Sequence, residues 1–156
     1  MWYLRPYPFY LLKVILKNDK LIIYTDGAAR GNPGPAAIGV IIRDESGNTV
    51  ASISRRLGVT TNNQAEYKAI IAGLEKAISL GARRIMIKAD SELAVKQING
   101  QYKIKNTALR PLYQEIVRLI GSLESFSITN IPRKQNSAAD ALANKALDAT
   151  VRHIKQ

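Results

Sequence analysis

Apolar positions along the chain change period several times, and each change predicts an element. Residues 21–25 (LIIYT) form a continuous apolar run that stops at Asp26-Gly27, the pattern of a buried central strand. A loop with several turn formers follows (ARGNPGP), then apolar runs at 37–43 and 49–56 separated by DESGN. Three strands joined by short turns predict an antiparallel meander. From Thr61 to Leu80 the spacing becomes helical, with Tyr67, Ile70, Ile71, Leu74 and Ile78 on one stripe. Thr61 and Gln64 have the spacing of a capping box, and Gly81 ends the helix. Residues 84–89 (RIMIKA) predict a fourth strand, parallel to its neighbour because a helix precedes it. Helices at 91–99 and 107–123, a strand at 126–131 and a last helix at 137–149 complete the order β-β-β-α-β-α-α-β-α. The expected class is α/β, a mixed sheet with helices packed on it.

The domain is expected to span 19–150, with 1–18 as an appendage that packs on it or frays and 151–156 as a tail. Residues 1–16 (MWYLRPYPFYLLKVIL) are aromatic-rich but interrupted by Pro6 and Pro8. They lack the pattern of a signal peptide and fall short of the roughly 20 apolar residues of a spanning helix. No membrane association is expected.

Composition adds a partner class. The chain of 156 residues has 23 Lys and Arg against 12 Asp and Glu, a net charge of +11. Such a charge favours polyanions, although it also suits a solvated surface. With no cysteine, disulfides and cysteine–zinc sites are excluded, which fits a reducing, cytoplasmic setting.

Four acids stand at element ends. Asp26 closes the first strand, Glu66 lies early in the first long helix, Asp90 closes the fourth strand, and Asp140 lies in the first turn of the last helix. Each has a structural alternative. Asp26-Gly27 is a common turn pair, Asp90 suits a cap, Asp140 suits a capping box begun by Ser137, and Glu66 suits a helix N-terminus. Glu66 nevertheless shares its stripe with Ala69, Ile70, Gly73 and Ala77, so it leans toward the packed side and wants a partner. A divalent cation resolves that conflict, since Mg²⁺ takes hard oxygen ligands from a few carboxylates. Two such ions activate water and stabilise the leaving oxygen in phosphodiester cleavage.

The strings TDGAARGNPGP (25–35), TTNNQAEYKAIIAGLEKA (60–77), ADSEL (89–93) and SAADALANKA (137–146) resemble, in order, the four signature blocks of type 1 ribonuclease H. The resemblance covers about residues 19–149 and is closest to short, archaeal-like members without the inserted basic helix. It implies a ribonuclease H-like fold with a five-stranded mixed sheet, order 3-2-1-4-5, and helices on both faces. It implies hydrolysis of the RNA strand of an RNA–DNA hybrid, giving 5′-phosphate and 3′-hydroxyl ends, with two Mg²⁺ ions (Mn²⁺ as an alternative) and no obligate protein partner. Asp26 would bridge both ions, Glu66 and Asp90 would serve the leaving side, and Asp140 the attacking side. Ala29, Gly31, Asn62 and Asn63 would meet the minor groove, where only RNA shows a 2′-hydroxyl. Asn32 and Thr61 would hold a DNA-strand phosphate, and Ser91 would adjoin the RNA. For Asn62 and Asn63, helix capping is the competing reading. Glu92 stands at the RNA-contacting position where many members carry Gln, and Arg133 and Lys134 stand in a loop where some carry His and where a basic group would meet a phosphate or simply be solvated. The only histidine, His153, reads as surface. Lys96, Lys103, Lys105, Arg110 and Arg118 either grip the hybrid or form a solvated face. A nuclease of broader range that includes double-stranded RNA, and a non-catalytic nucleic-acid binding module, are the alternatives.

Overall fold

A computed structural model describes residues 18–154 and, before them, Pro8. The expected appendage lies almost wholly outside the described residues. Strands β1 (Lys20–Ala29), β2 (Gly34–Arg43) and β3 (Thr49–Thr60) form the meander, followed by helix α1 (Asn62–Ser79) and strand β4 (Arg84–Ala89). Helices α2 (Glu92–Ile98) and α3 (Arg110–Ile120), strand β5 (Ser125–Asn130), a 3-10 turn (Arg133–Asn136) and helix α4 (Ser137–Ile154) complete the chain. The sheet order is β3-β2-β1-β4-β5, as the resemblance implies. β1 pairs antiparallel with β2 and parallel with β4, and β4 pairs parallel with β5.

Alternation along the central strands sets the two faces. Leu21, Ile23, Val40, Ile42, Ile85 and Ile87 point to one side. There they meet Tyr67, Ile70 and Leu74 of α1, Val95 of α2, and Ile116 and Leu119 of α3, in one core. The other side carries α4, packed through Ala146 and Leu147 on Ala37 and through Ala139 and Ala143 on Gly39. Helices thus cover both faces, and no helix of the described residues is long and apolar enough to cross a membrane.

Several boundaries differ from those expected. β1 does not stop at Asp26: its ladder with β2 continues through Asp26↔Gly39, Gly27↔Ile38, Ala28↔Ala37 and Ala29↔Ala36. The loop shrinks to residues 30–33. What does stop there is the pairing with β4, whose last partners are Thr25 and Ala89. β3 runs to Thr60 through a bulge that skips Leu57 beside Gly58. The third helix starts only at Arg110, because the Asn106 side chain accepts from the Ala108 amide (2.9 Å) and holds the preceding residues in a turn. α4 continues to Ile154 rather than stopping near 149. The His153 side chain lies outside what is described.

Candidate active site

The site forms where β1 and β4 part. Asp26 follows the last β1 residue paired to β4, and Asp90 follows the last residue of β4, so the two carboxylates come from the point where the parallel pairing ends. α1 and α4 bring the other two acids, and one glycine admits each helix. A Cβ on Gly27 would fall into the Ala65 carbonyl and the Glu66 amide, and a Cβ on Gly39 would fall into the Ala139 carbonyl and lie 2.7 Å from the Ala143 amide. Both helices therefore sit on bare strand backbone, Glu66 against Gly27 and Asp140 beside Asp26.

Carboxylate oxygens of Asp26, Glu66 and Asp90 lie within 4.8 Å of one another. Asp26 and Glu66 are buried and Asp90 is half-buried. Asp140, half-buried, stands outside this trio but close enough to Asp26 to raise its carboxyl. Burial, reinforced by Asp90 and Asp140, pushes the Asp26 carboxyl up to about 8 from an ordinary 3.8, while Arg133 opposes the rise. Glu66 is raised well above its usual range by burial first and then by Asp26 and Asp90; the Gly27 N–H donated to its Oε2 (3.2 Å) and Arg133 pull the other way. Crowded, desolvated carboxylates of this kind raise one another.

The structural alternatives for these acids can now be judged. Ser91, not Asp90, caps α2 by accepting from the Ala94 amide (3.2 Å). Ser137 is already helical (φ −60°, ψ −34°), so it begins no capping box with Asp140. Thr61 caps α1 with Gln64 in the expected capping box. Asn62 and Asn63 are therefore the first helical residues rather than caps.

The remaining predicted residues divide into two groups. Asn62, Ser91 and Arg133 line an open cleft of about 230 Å³ together with Gly27, Ala28 and the three acids. Asn62 also ties the neighbouring loop: its Oδ1 accepts from the Ala29 amide (3.2 Å), and its own amide donates to Asn32 Oδ1 (3.1 Å). Gly31 is exposed in that loop, Asn63 Oδ1 is buried without a partner among the described residues, and Thr61 is engaged as the cap. Glu92 stands apart from the cleft, exposed and paired with Lys96 (2.6 Å) one helical turn on. That pairing neutralises the acid that stands where many family members carry Gln.

Asn136 precedes the last helix in a polar stretch (RKQN) that carries no signal of its own in the sequence. Its side chain is 1% exposed, and its Nδ2 donates both to the Thr25 carbonyl (2.8 Å) and to Asp90 Oδ2 (3.1 Å). It clamps Asp90 to the backbone next to Asp26. Replacing Asn136 by Ala is expected to cost about 1–3 kcal/mol, because it strands a buried acceptor and loosens Asp90. Urea unfolding would measure this, and an unchanged midpoint would remove the clamp from the account.

A family model described as reverse transcriptase-like matches residues 24–146. Ribonuclease HI of Halobacterium salinarum is 45% identical over 132 residues, covering 85% of this chain and 66% of that protein. The bifunctional protein Rv2228c of Mycobacterium tuberculosis is 40% identical over 131 residues, covering 83% of this chain and 36% of that protein. The chain thus spans about two thirds or less of the length of these curated relatives. Among solved structures, LC11-RNase H1 in complex with RNA/DNA hybrid superposes with a TM-score of 0.80 at 43% identity, covering 84% of this chain and 99% of that one. The chain belongs to the type 1 ribonuclease H family.

Proposed function

We propose that this chain hydrolyses the RNA strand of RNA–DNA hybrids, leaving 5′-phosphate and 3′-hydroxyl ends. The observation that carries the reading is the trio of Asp26, Glu66 and Asp90, with carboxylate oxygens within 4.8 Å and two of the three side chains buried. Folding has gathered acids that repel one another, and Arg133 lowers both buried members. A hard divalent cation fits this donor set, and Mg²⁺ is the ion it suits best. Asp26, Glu66 and Asp90 would hold it, with Asp140 beside Asp26 available to a second ion. Ions so held would supply an activated water and charge stabilisation at the scissile phosphate.

The chain's own groups prepare the rest. Gly27 and Asn136 fix Glu66 and Asp90 through hydrogen bonds to their carboxylates, so that the acids are placed before substrate arrives. Asn62 at the start of α1 fixes the Ala29 backbone at the cleft edge, where a minor groove bearing 2′-hydroxyls would lie. The N-terminus of α1 and Arg133 both favour phosphate at that edge. The LC11 protein, solved with an RNA/DNA hybrid, supports the substrate class.

Cleavage of an end-labelled hybrid with Mg²⁺, wild type beside Asp90→Asn, tests the proposal. Wild type is expected to cut the RNA strand alone and Asp90→Asn to leave it intact. Matched RNA and DNA duplexes in the same assay define the range. Cutting of the RNA duplex at a comparable rate would replace the proposal with a nuclease of broader range. A folded wild type that binds the hybrid and cuts nothing would replace it with a binding module.

A further inference from the structure

The two faces of the sheet are covered unequally. On the α4 side, that helix sits over Gly39, Ala37 and Ser54, whose hydroxyl donates to the Leu142 carbonyl (2.6 Å). It heads toward the 30–33 loop, where Asp148 meets Arg30. The half of this face remote from the acids has no described element over it. Strand alternation places Ile22 and Tyr24 of β1, Ile41 of β2 and Met86 of β4 there, side by side in the ladder. All four are half-buried, yet among the described residues none packs into any core cluster. The patch also holds two cations. Arg43 and Lys88 both lie over the Tyr24 ring, 5.2 and 5.6 Å from its centre, and Arg43 Nε is buried with no acceptor among the described residues. At its lower end the patch runs into a groove of about 380 Å³ bordered by Lys20, Met86 and Ser127.

We propose that residues 1–17 of this chain dock on this half of the sheet. The segment joins the fold at Asn18 and Asp19, immediately before Lys20 at the rim of the groove, so it starts where the patch starts. Its composition matches an apolar surface rather than a charged one. Trp2, Tyr3, Tyr7, Phe9 and Tyr10 are half of the chain's ten aromatics, and no acid occurs before Asp19. Electrostatic docking onto Arg43 and Lys88 is therefore excluded, whereas aromatic faces suit both cations and a backbone carbonyl suits Arg43 Nε. Reach is ample. Seventeen residues extend to roughly 55 Å, and even as a helix to about 25 Å, against about 15 Å across four strands.

Because the chain has no cysteine, one introduced thiol takes a spin label at a single place. A nitroxide on Ser127→Cys of the full chain is expected to quench the amide signals of residues 2–16 severalfold, independent of dilution. The same label on Gln114→Cys, exposed on α3 across the sheet, should leave them intact. Adding Met86→Glu should abolish the quenching and speed trypsin cleavage after Lys13 by about tenfold, while the domain stays folded and cuts hybrid as before. Quenching from neither position would overturn the proposal. So would quenching that also arises between labelled and unlabelled copies in a mixture, which would make the occupant a second molecule. Segment signals that respond only to anionic vesicles would overturn it in favour of a membrane-binding role.

Discussion

Glu66→Gln is expected to lower hybrid cleavage by about a thousandfold and, in the same protein, to raise the melting temperature of the metal-free form. The first effect follows if Glu66 holds a catalytic cation, since such an ion supplies several kcal/mol and each 1.4 kcal/mol is tenfold in rate. The second follows from its surroundings. Glu66 is buried, and Asp26 and Asp90 raise it further, so its charged form opposes folding. Gln keeps an oxygen for the Gly27 amide and removes the charge. The same logic sets a pH dependence. Asp26 titrates at about 8 in the fold and at 3.8 ordinarily, so its contribution to stability is complete below about 3.8 and is lost as pH rises through about 8. The metal-free protein should therefore melt progressively lower between about pH 4 and pH 8. Saturating Mg²⁺, which binds the deprotonated acids, should remove most of that fall. Calorimetric scans at pH 5 and pH 8, with chelator or with Mg²⁺, read both effects. A Gln variant that melts below wild type at pH 8 without metal would mean that Glu66 is held as a structural acid.

Gly39→Ala is expected to cost about 1–3 kcal/mol, the range for forcing atoms into a packed interior, and to remove most activity although Gly39 touches no substrate in the proposed mechanism. The added methyl would collide with the Ala139 carbonyl and approach the Ala143 amide, both helix backbone, so no side chain can turn aside to admit it. α4 must lift, and Asp140 moves with it away from Asp26, the register partner of Gly39. Denaturant unfolding and hybrid cleavage measured on one preparation would show the two losses together. A variant of normal stability and normal rate would mean that α4 is not seated by this contact.

The order of elements was legible because apolar period is a local property. LIIYT, the helical stripe from Tyr67 to Ile78, and RIMIKA each declare themselves within a few residues. The Thr61–Gln64 box was legible for the same reason. Asp26 was misplaced at a strand end because Gly27, Ala28 and Ala29 carry little strand preference of their own. The hairpin ladder to β2 extends them, and that ladder is tertiary. Asn136 was missed because its two acceptors, at Thr25 and Asp90, are remote in sequence. Gly39 was equally silent, since a glycine within a strand reads as a weak point until a helix is seen resting on it. The four acids could be listed from element ends. That three of them converge within 4.8 Å was visible only in the fold.

The acids lie at positions 26, 66, 90 and 140, three on separate elements and Asp90 just past the end of β4, and the last of them rides on the final helix. Partly folded chains without a docked α4, or without parallel β1–β4 pairing, would lack the complete cluster. A divalent ion that requires the whole cluster would then recognise only the finished molecule. Its presence should slow unfolding while leaving the rate of folding almost unchanged.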